Sequence, residues 1–204
     1  MQNYAYSWCV DPLDGTKEFL KRNGQFTVNI ALLEGNTPVL GVVQVPATGK
    51  VYWAAKGQGA WVSDGPNSEG QRSPQKIKAA PYDPSAPGFT IVASTRHWSS
   101  ETAEFFSQFK DPTFRQLGSS LKLLMVAEGD AHIYPRLAPT SEWDTAAAHV
   151  IVTEAGGSVI QAGNCDSKGN SLEDWRSVLA ENKPVVYNKE NPLNPFFVVY
   201  GARE

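Results

Sequence analysis

With 204 residues, 41% of them hydrophobic and 11% aromatic, the chain is long enough to bury a core and falls in the ordinary globular range. Its 18 Lys and Arg against 21 Asp and Glu leave a net charge of −3, which excludes a global positive field for nucleic acid or anionic lipid, so an anionic ligand has to be held by a local device. No run approaches the roughly 18 apolar residues of a membrane span, no basic stretch precedes an apolar one at the start, and Cys9 and Cys165 are too few and too far apart for a disulfide framework or zinc site; a cytoplasmic enzyme is the default expectation.

The first 62 residues read as strands broken by turns: Ser7–Val10, then Phe26–Leu33, a turn at Glu34-Gly35-Asn36, Val39–Val45, a turn around Thr48-Gly49, and Val51–Ala54. This is an antiparallel meander. Ser63 to Pro74 lacks apolar periodicity and reads as an exposed loop before a short strand near Lys76–Ala79. Turn residues from Pro81 to Gly88 then divide the chain into an amino-terminal subdomain, residues 1–80, and a carboxy-terminal one, residues 81–204.

From Phe89 strands alternate with helices, the mark of α/β organisation. Strand Phe89–Ser94 leads to a helix beginning near Ser99 or Ser100, with Phe105, Phe106 and Phe109 on its apolar face. Strand Phe114–Leu117 runs through Gly118 and Ser119 into a helix of about ten residues that ends at Gly129. Strand Ala131–Tyr134 follows, then a helix from Asp144 to Glu154 stopped by Gly156-Gly157, and strand Ser158–Gln161. Gly163 to Pro195 is a polar connection to the terminal strand Phe196–Tyr200.

Two acidic sites stand out. In Asp11-Pro12-Leu13-Asp14-Gly15-Thr16 two carboxylates sit three residues apart, just past the end of an apolar strand, with Pro12 and Gly15 fixing a tight turn. Magnesium prefers a few carboxylate and carbonyl oxygens and keeps several waters, so Asp11, Asp14 and the Leu13 carbonyl form a partial coordination shell. Gly15 would let the backbone approach a phosphate, and the Thr16 hydroxyl would orient a metal-bound water. The same residues read equally well as a good turn and nothing more. Asp144, after Glu142-Trp143, opens a helix and reads either as its N-cap or as a further ligand. Trp8, Trp53, Trp61 and Trp143 read as core or wall residues rather than stacking platforms, and His132 and His149 as plain strand and helix residues.

The stretch Asp11 to Phe19, together with Trp143-Asp144-Thr145-Ala146-Ala147 and Glu154-Ala155-Gly156-Gly157, resembles the paired signatures of the inositol-monophosphatase superfamily. Lys17 to Gly24, Gly118-Ser119-Ser120-Leu121-Lys122 and Tyr134-Pro135-Arg136 further resemble its bacterial-type 3'(2'),5'-bisphosphate nucleotidases, in the right order over nearly the whole chain.

The resemblance implies a layered α/β/α/β/α phosphatase fold, here without its amino-terminal helices. It implies more than one magnesium ion on Asp11, Asp14, Asp144 and the Leu13 carbonyl, phosphate contacts from Gly15 and Thr16, Asp14 and Thr16 as catalytic residues, and sensitivity to lithium. His97, Ser119, Lys122 and Arg136, with Asp144, match positions around the nucleotide in relatives; Lys122 reads equally as an exposed helix lysine and His97 as a surface-loop histidine. The implied substrate is a small phosphorylated nucleotide, 3'-phosphoadenosine 5'-phosphate, with an inositol phosphate as the alternative and a homodimer as an assembly found among relatives. Superfamily members donate a metal-bridging Glu from upstream of the first Asp motif, yet no Glu or Asp precedes Asp11 here, so a catalytically impaired fragment is a further reading. It also predicts an exposed apolar face on the meander sheet, which absent helices would otherwise cover.

Overall fold

The computed structural model describes residues 4–66, 69–93, 100–166 and 170–203. In chain order the first half forms β1 (Tyr6–Asp14), α1 (Thr16–Leu20), β2 (Thr27–Glu34), β3 (Thr37–Val45), β4 (Lys50–Ala55), β5 (Ala60–Ser63) and β6 (Gln75–Ile77). These strands make one antiparallel meander in the order β1-β2-β3-β4-β5-β6. The second half forms β7 (Thr90–Ala93), α2 (Ser100–Phe106), β8 (Thr113–Gln116), α3 (Leu121–Ala127), β9 (Ile133–Arg136), α4 (Glu142–Glu154), β10 (Ser158–Gly163), α5 (Trp175–Ala180) and β11 (Phe196–Tyr200). Its five-stranded sheet has the order β10-β11-β9-β7-β8, with β7 parallel to β8 and β9 and the other pairs antiparallel.

Period-two alternation decides what each strand of the meander buries. On β2, Thr27, Asn29, Ala31 and Leu33 face inward and are buried, while Val28, Ile30 and Leu32 face outward and are half-buried. The inward face packs on α3 and α4, which in turn cover one face of the second sheet through Tyr134, Val159, Phe197 and Val199. Phe89, Ile91, Phe105, Phe106, Trp175 and Phe196 build a separate core on that sheet's far face, under α2 and α5. The layers are therefore sheet, helix, sheet, helix, the expected stack without its first helical layer.

Small side chains make room for α4. Ala31, Gly41, Ala54 and Ala60 are cross-strand partners in one row over β2 to β5, and the backbone at Ala147 presses into that row at Gly41. The middle of α4 is pinned by buried polar groups: His149 Nδ1 lies 2.9 Å from the Tyr187 hydroxyl, which donates to Thr145 Oγ1 at 3.2 Å. Burial drives the His149 pKa down from 6.5 to about 4, so the folded state holds the ring neutral where the unfolded chain charges it. Stability contributed this way is complete above pH 6.5 and is lost as pH falls towards 4. Urea unfolding is expected to show the gap between the native protein and a His149→Phe variant shrinking by roughly 2 kcal/mol between pH 7 and pH 4.5; a pH-independent gap would contradict it.

The outer face of the meander is apolar, with Val10, Ile30, Val42, Trp53 and Trp61 in cross-strand sequence. It is most open at its β1 edge, where Tyr6, Trp8 and Val10 are exposed. Trp8 thus stands on the surface rather than in the core or a wall, and Trp143 is also exposed. Cys9 and Cys165 are free. Among the described residues no helix is long and apolar enough to cross a membrane.

Candidate metal and phosphate site

The acidic motif does not follow the first strand; it is part of it. β1 runs on through Asp14, pairing Asp11 with Asn29 and Asp14 with Thr27, with a register shift in between. In regular pleating, residues three apart face opposite sides of a sheet, so the extra residue of this bulge is what turns both carboxylates to the same side. Pro12 lies in the bulge, where a missing N–H costs no ladder bond, and Leu13 N donates to Asp11 Oδ1 at 2.9 Å. Gly15 then turns the chain at φ +88, with the Gln25 carbonyl 3.1 Å and Ser119 Cβ 3.2 Å from where a side chain would begin. Thr16 opens α1 and is exposed.

Asp144 enters from α4. The helix starts earlier than expected, at Glu142, with Ser141 as its N-cap, so Asp144 occupies the third helical position rather than the cap. Its Oδ2 accepts from Ser141 N at 2.7 Å in a capping box, which fixes the side chain at the helix end. Among the described residues, Asp11, Asp14 and Asp144 bring carboxylate oxygens within 4.8 Å of one another. Burial raises the Asp144 pKa to about 6, against the Ser141 hydrogen bond and with help from the charges of Asp14 and Asp11. Asp11 is raised too, chiefly by burial. Three oxygen-only donors, crowded and partly desolvated, suit a hard divalent cation that relieves their repulsion.

Asp14, Gly15, Ser119, Lys122, Arg136 and Asp144 line one cleft. Lys122 is 8% exposed, which removes the reading as an ordinary surface lysine. Its Nζ donates to the Ser119 carbonyl at 2.6 Å and sits 5.6 Å from the centre of the Tyr134 ring. Burial lowers its pKa to about 8, with the Asp14 charge opposing. Arg136 Nη2 donates to the Pro139 carbonyl at 3.0 Å, while Arg136 Nε and Ser119 Oγ are buried without a partner. Unpartnered buried donors are uncommon and cost free energy unless a ligand satisfies them. His97 lies outside the described residues.

Sequence reasoning passed over Ser120, whose backbone N and Oγ both lie 2.6 Å from Asp14 Oδ2, and Asn194, whose Nδ2 donates to Thr140 Oγ1, Ser141 O and Thr145 Oγ1 at the start of α4. Neither carries a charge or stands in an acidic motif; Ser120 lies in the Gly118–Lys122 stretch that carries the resemblance, but only the fold discloses its contact with Asp14.

The profile of the inositol monophosphatase family matches residues 2–193. The chain is 41% identical to the 3'(2'),5'-bisphosphate nucleotidase CysQ of Salmonella typhimurium and 40% identical to that of Escherichia coli, each over 97% of this chain and 69% of the relative. Among solved structures it superposes on CysQ from Bacteroides thetaiotaomicron, described as a bacterial member of the inositol monophosphatase family, with a TM-score of 0.80 and 40% identity over 99% of this chain and 72% of that one. The two-sheet stack superposes on a solved member of the family, profile and relatives match along nearly the whole chain, and the chain belongs to the inositol monophosphatase family.

Proposed function

We propose that the chain is a magnesium-dependent phosphomonoesterase that removes the 3'-phosphate of 3'-phosphoadenosine 5'-phosphate, giving AMP and phosphate. One observation carries the reading: Asp14 and Asp144 of the three-carboxylate cluster line one cleft with Lys122, Arg136 and Ser119, whose hydroxyl is unpartnered, so a cation site and an anion site lie side by side. A substrate with two phosphates engages both.

Asp11, Asp14, Asp144 and the Leu13 carbonyl would hold magnesium, which supplies charge neutralisation and a water of lowered pKa. Gly15 gives the reacting phosphate access to the backbone, and the Thr16 hydroxyl orients the attacking water. Ser119, Lys122 and Arg136, with His97, hold the second phosphate and the nucleoside. A protonated Lys122 is costly to bury alone, so pairing with a dianionic phosphate raises its pKa again and favours the bound state. An inositol monophosphate, the alternative substrate, leaves that half of the cleft unneutralised. The names of the relatives, 3'(2'),5'-bisphosphate nucleotidases, support the same choice.

Phosphate release is expected to be at least about tenfold faster, as kcat/KM, from 3'-phosphoadenosine 5'-phosphate than from inositol 1-phosphate, one lost charged contact amounting to about 1.4 kcal/mol or more. Lithium is expected to inhibit it. Equal rates on both substrates would move the assignment to an inositol phosphatase.

A further inference from the structure

We infer that Ser120 is a positioning residue that fixes Asp14 by one oxygen and leaves the other as its sole metal ligand, an inference that rests on the metal reading above. Asp14 Oδ2 accepts from Ser120 N and Ser120 Oγ, both at 2.6 Å, and has Thr27 Oγ1 at 3.3 Å and Asn29 Nδ2 at 3.4 Å as longer contacts. A carboxylate oxygen offers about two lone-pair directions, and two short charge-assisted bonds occupy them. A hydroxyl has one proton to give, and the 2.6 Å geometry assigns it to Asp14 rather than to the Asp144 carbonyl, 3.4 Å away. Oδ1 remains free for a cation.

The clamp has its own support. Ser120 is 1% exposed, and Gly118 N donates to Gln25 Oε1 at 2.9 Å, so the loop ahead of α3 is tied to the segment between α1 and β2. Ser119, at φ +44, turns the backbone so that Ser120 N and Oγ reach the same acceptor. Without such a hold, repulsion from Asp11 and Asp144 would rotate the Asp14 carboxylate away from the cluster. The backbone donor survives any substitution but proline, which makes the hydroxyl the separable half of the clamp.

Titration calorimetry with magnesium alone, and with manganese as a second probe, on the metal-free native protein and on Ser120→Ala, Ser120→Thr and Thr27→Val tests this. Ser120→Ala is expected to weaken metal binding about tenfold or more, as losses of groups that orient a ligand do. Ser120→Thr, which keeps the hydroxyl, is expected to recover most of it, and Thr27→Val, which removes only the longer contacts of Thr27 Oγ1 to Asp14 Oδ2 and Ser120 Oγ, both 3.3 Å, to change it less than about threefold. The metal concentration needed for half-maximal phosphate release should rise in Ser120→Ala while kcat at saturating metal changes less. Native-like metal affinity in Ser120→Ala, whatever its melting temperature, overturns the inference and leaves the metal reading standing. Absence of metal binding by the native protein overturns both.

Discussion

Asp14→Asn is expected to lower phosphate release at least about a thousandfold in kcat, a loss of about 4 kcal/mol, while leaving the metal-free fold as stable as before or slightly more so. The substitution conserves shape, so the reason lies in hydrogen bonding and charge. One Asp14 oxygen receives the Ser120 N–H and hydroxyl, which leaves the other for the cation that the cluster with Asp11 and Asp144 would hold. An amide cannot serve both sides. With its oxygen towards Ser120 it turns an NH2 group onto the cation, and with its NH2 towards Ser120 it sets donor against donor. In either orientation one of three ligating charges is gone. The metal-free protein, by contrast, loses a source of like-charge repulsion, since Asp14 raises the pKa of both Asp11 and Asp144. Thermal melting with and without magnesium separates the two effects: the native protein should gain stability from the metal and the variant should not. Retained activity, or a variant that is still stabilised by magnesium, would remove Asp14 from the site.

The meander was legible because its strands alternate with period two and its turns carry Gly and Asn, and the terminal strand Phe196–Tyr200 because it is a continuous apolar run. The acidic residues were legible as a motif but their placement was not. The apolar pattern stops at Val10 and Pro12 reads as a break, so the strand seemed to end before the carboxylates. The bulge exists through pairing with Asn29 and Thr27, which the local sequence does not encode. Ser141 and Asp144 carry a capping-box spacing that would have placed the start of α4 correctly, had Asp144 not looked like a cap itself. Short elements escaped for lack of periods: α1, β5 and α5 span five, four and six residues. Trp8, on β1, and Trp143, on α4, defeated the composition rule because an aromatic residue in an apolar context says nothing about which face of its strand or helix it occupies.

Gly41→Ala is expected to destabilise the protein by about 3 kcal/mol or more and, through α4, to weaken the metal site. A Cβ at position 41 would stand 2.1 Å from the Ala147 carbonyl oxygen, 2.9 Å from its carbon and 3.1 Å from its Cα. All three are backbone atoms of a helix, so no rotamer change makes room. Relief requires moving α4 off β3, and α4 also packs on β1, β2, β4, β10 and α3, so the shift would open the core along its length. Gly35→Ala is the matching control: at φ +57 it carries backbone strain worth about 1 kcal/mol, but nothing lies within 4 Å of the new methyl group. Urea unfolding of the two variants therefore separates close approach from conformational strain. Asp144 stands on α4 three residues before Ala147, so a displaced helix should raise the magnesium requirement in Gly41→Ala and leave it unchanged in Gly35→Ala. Equal and small losses in both variants would mean that α4 yields without cost, and the small-residue row of the meander could then not be what sets the third carboxylate against the other two.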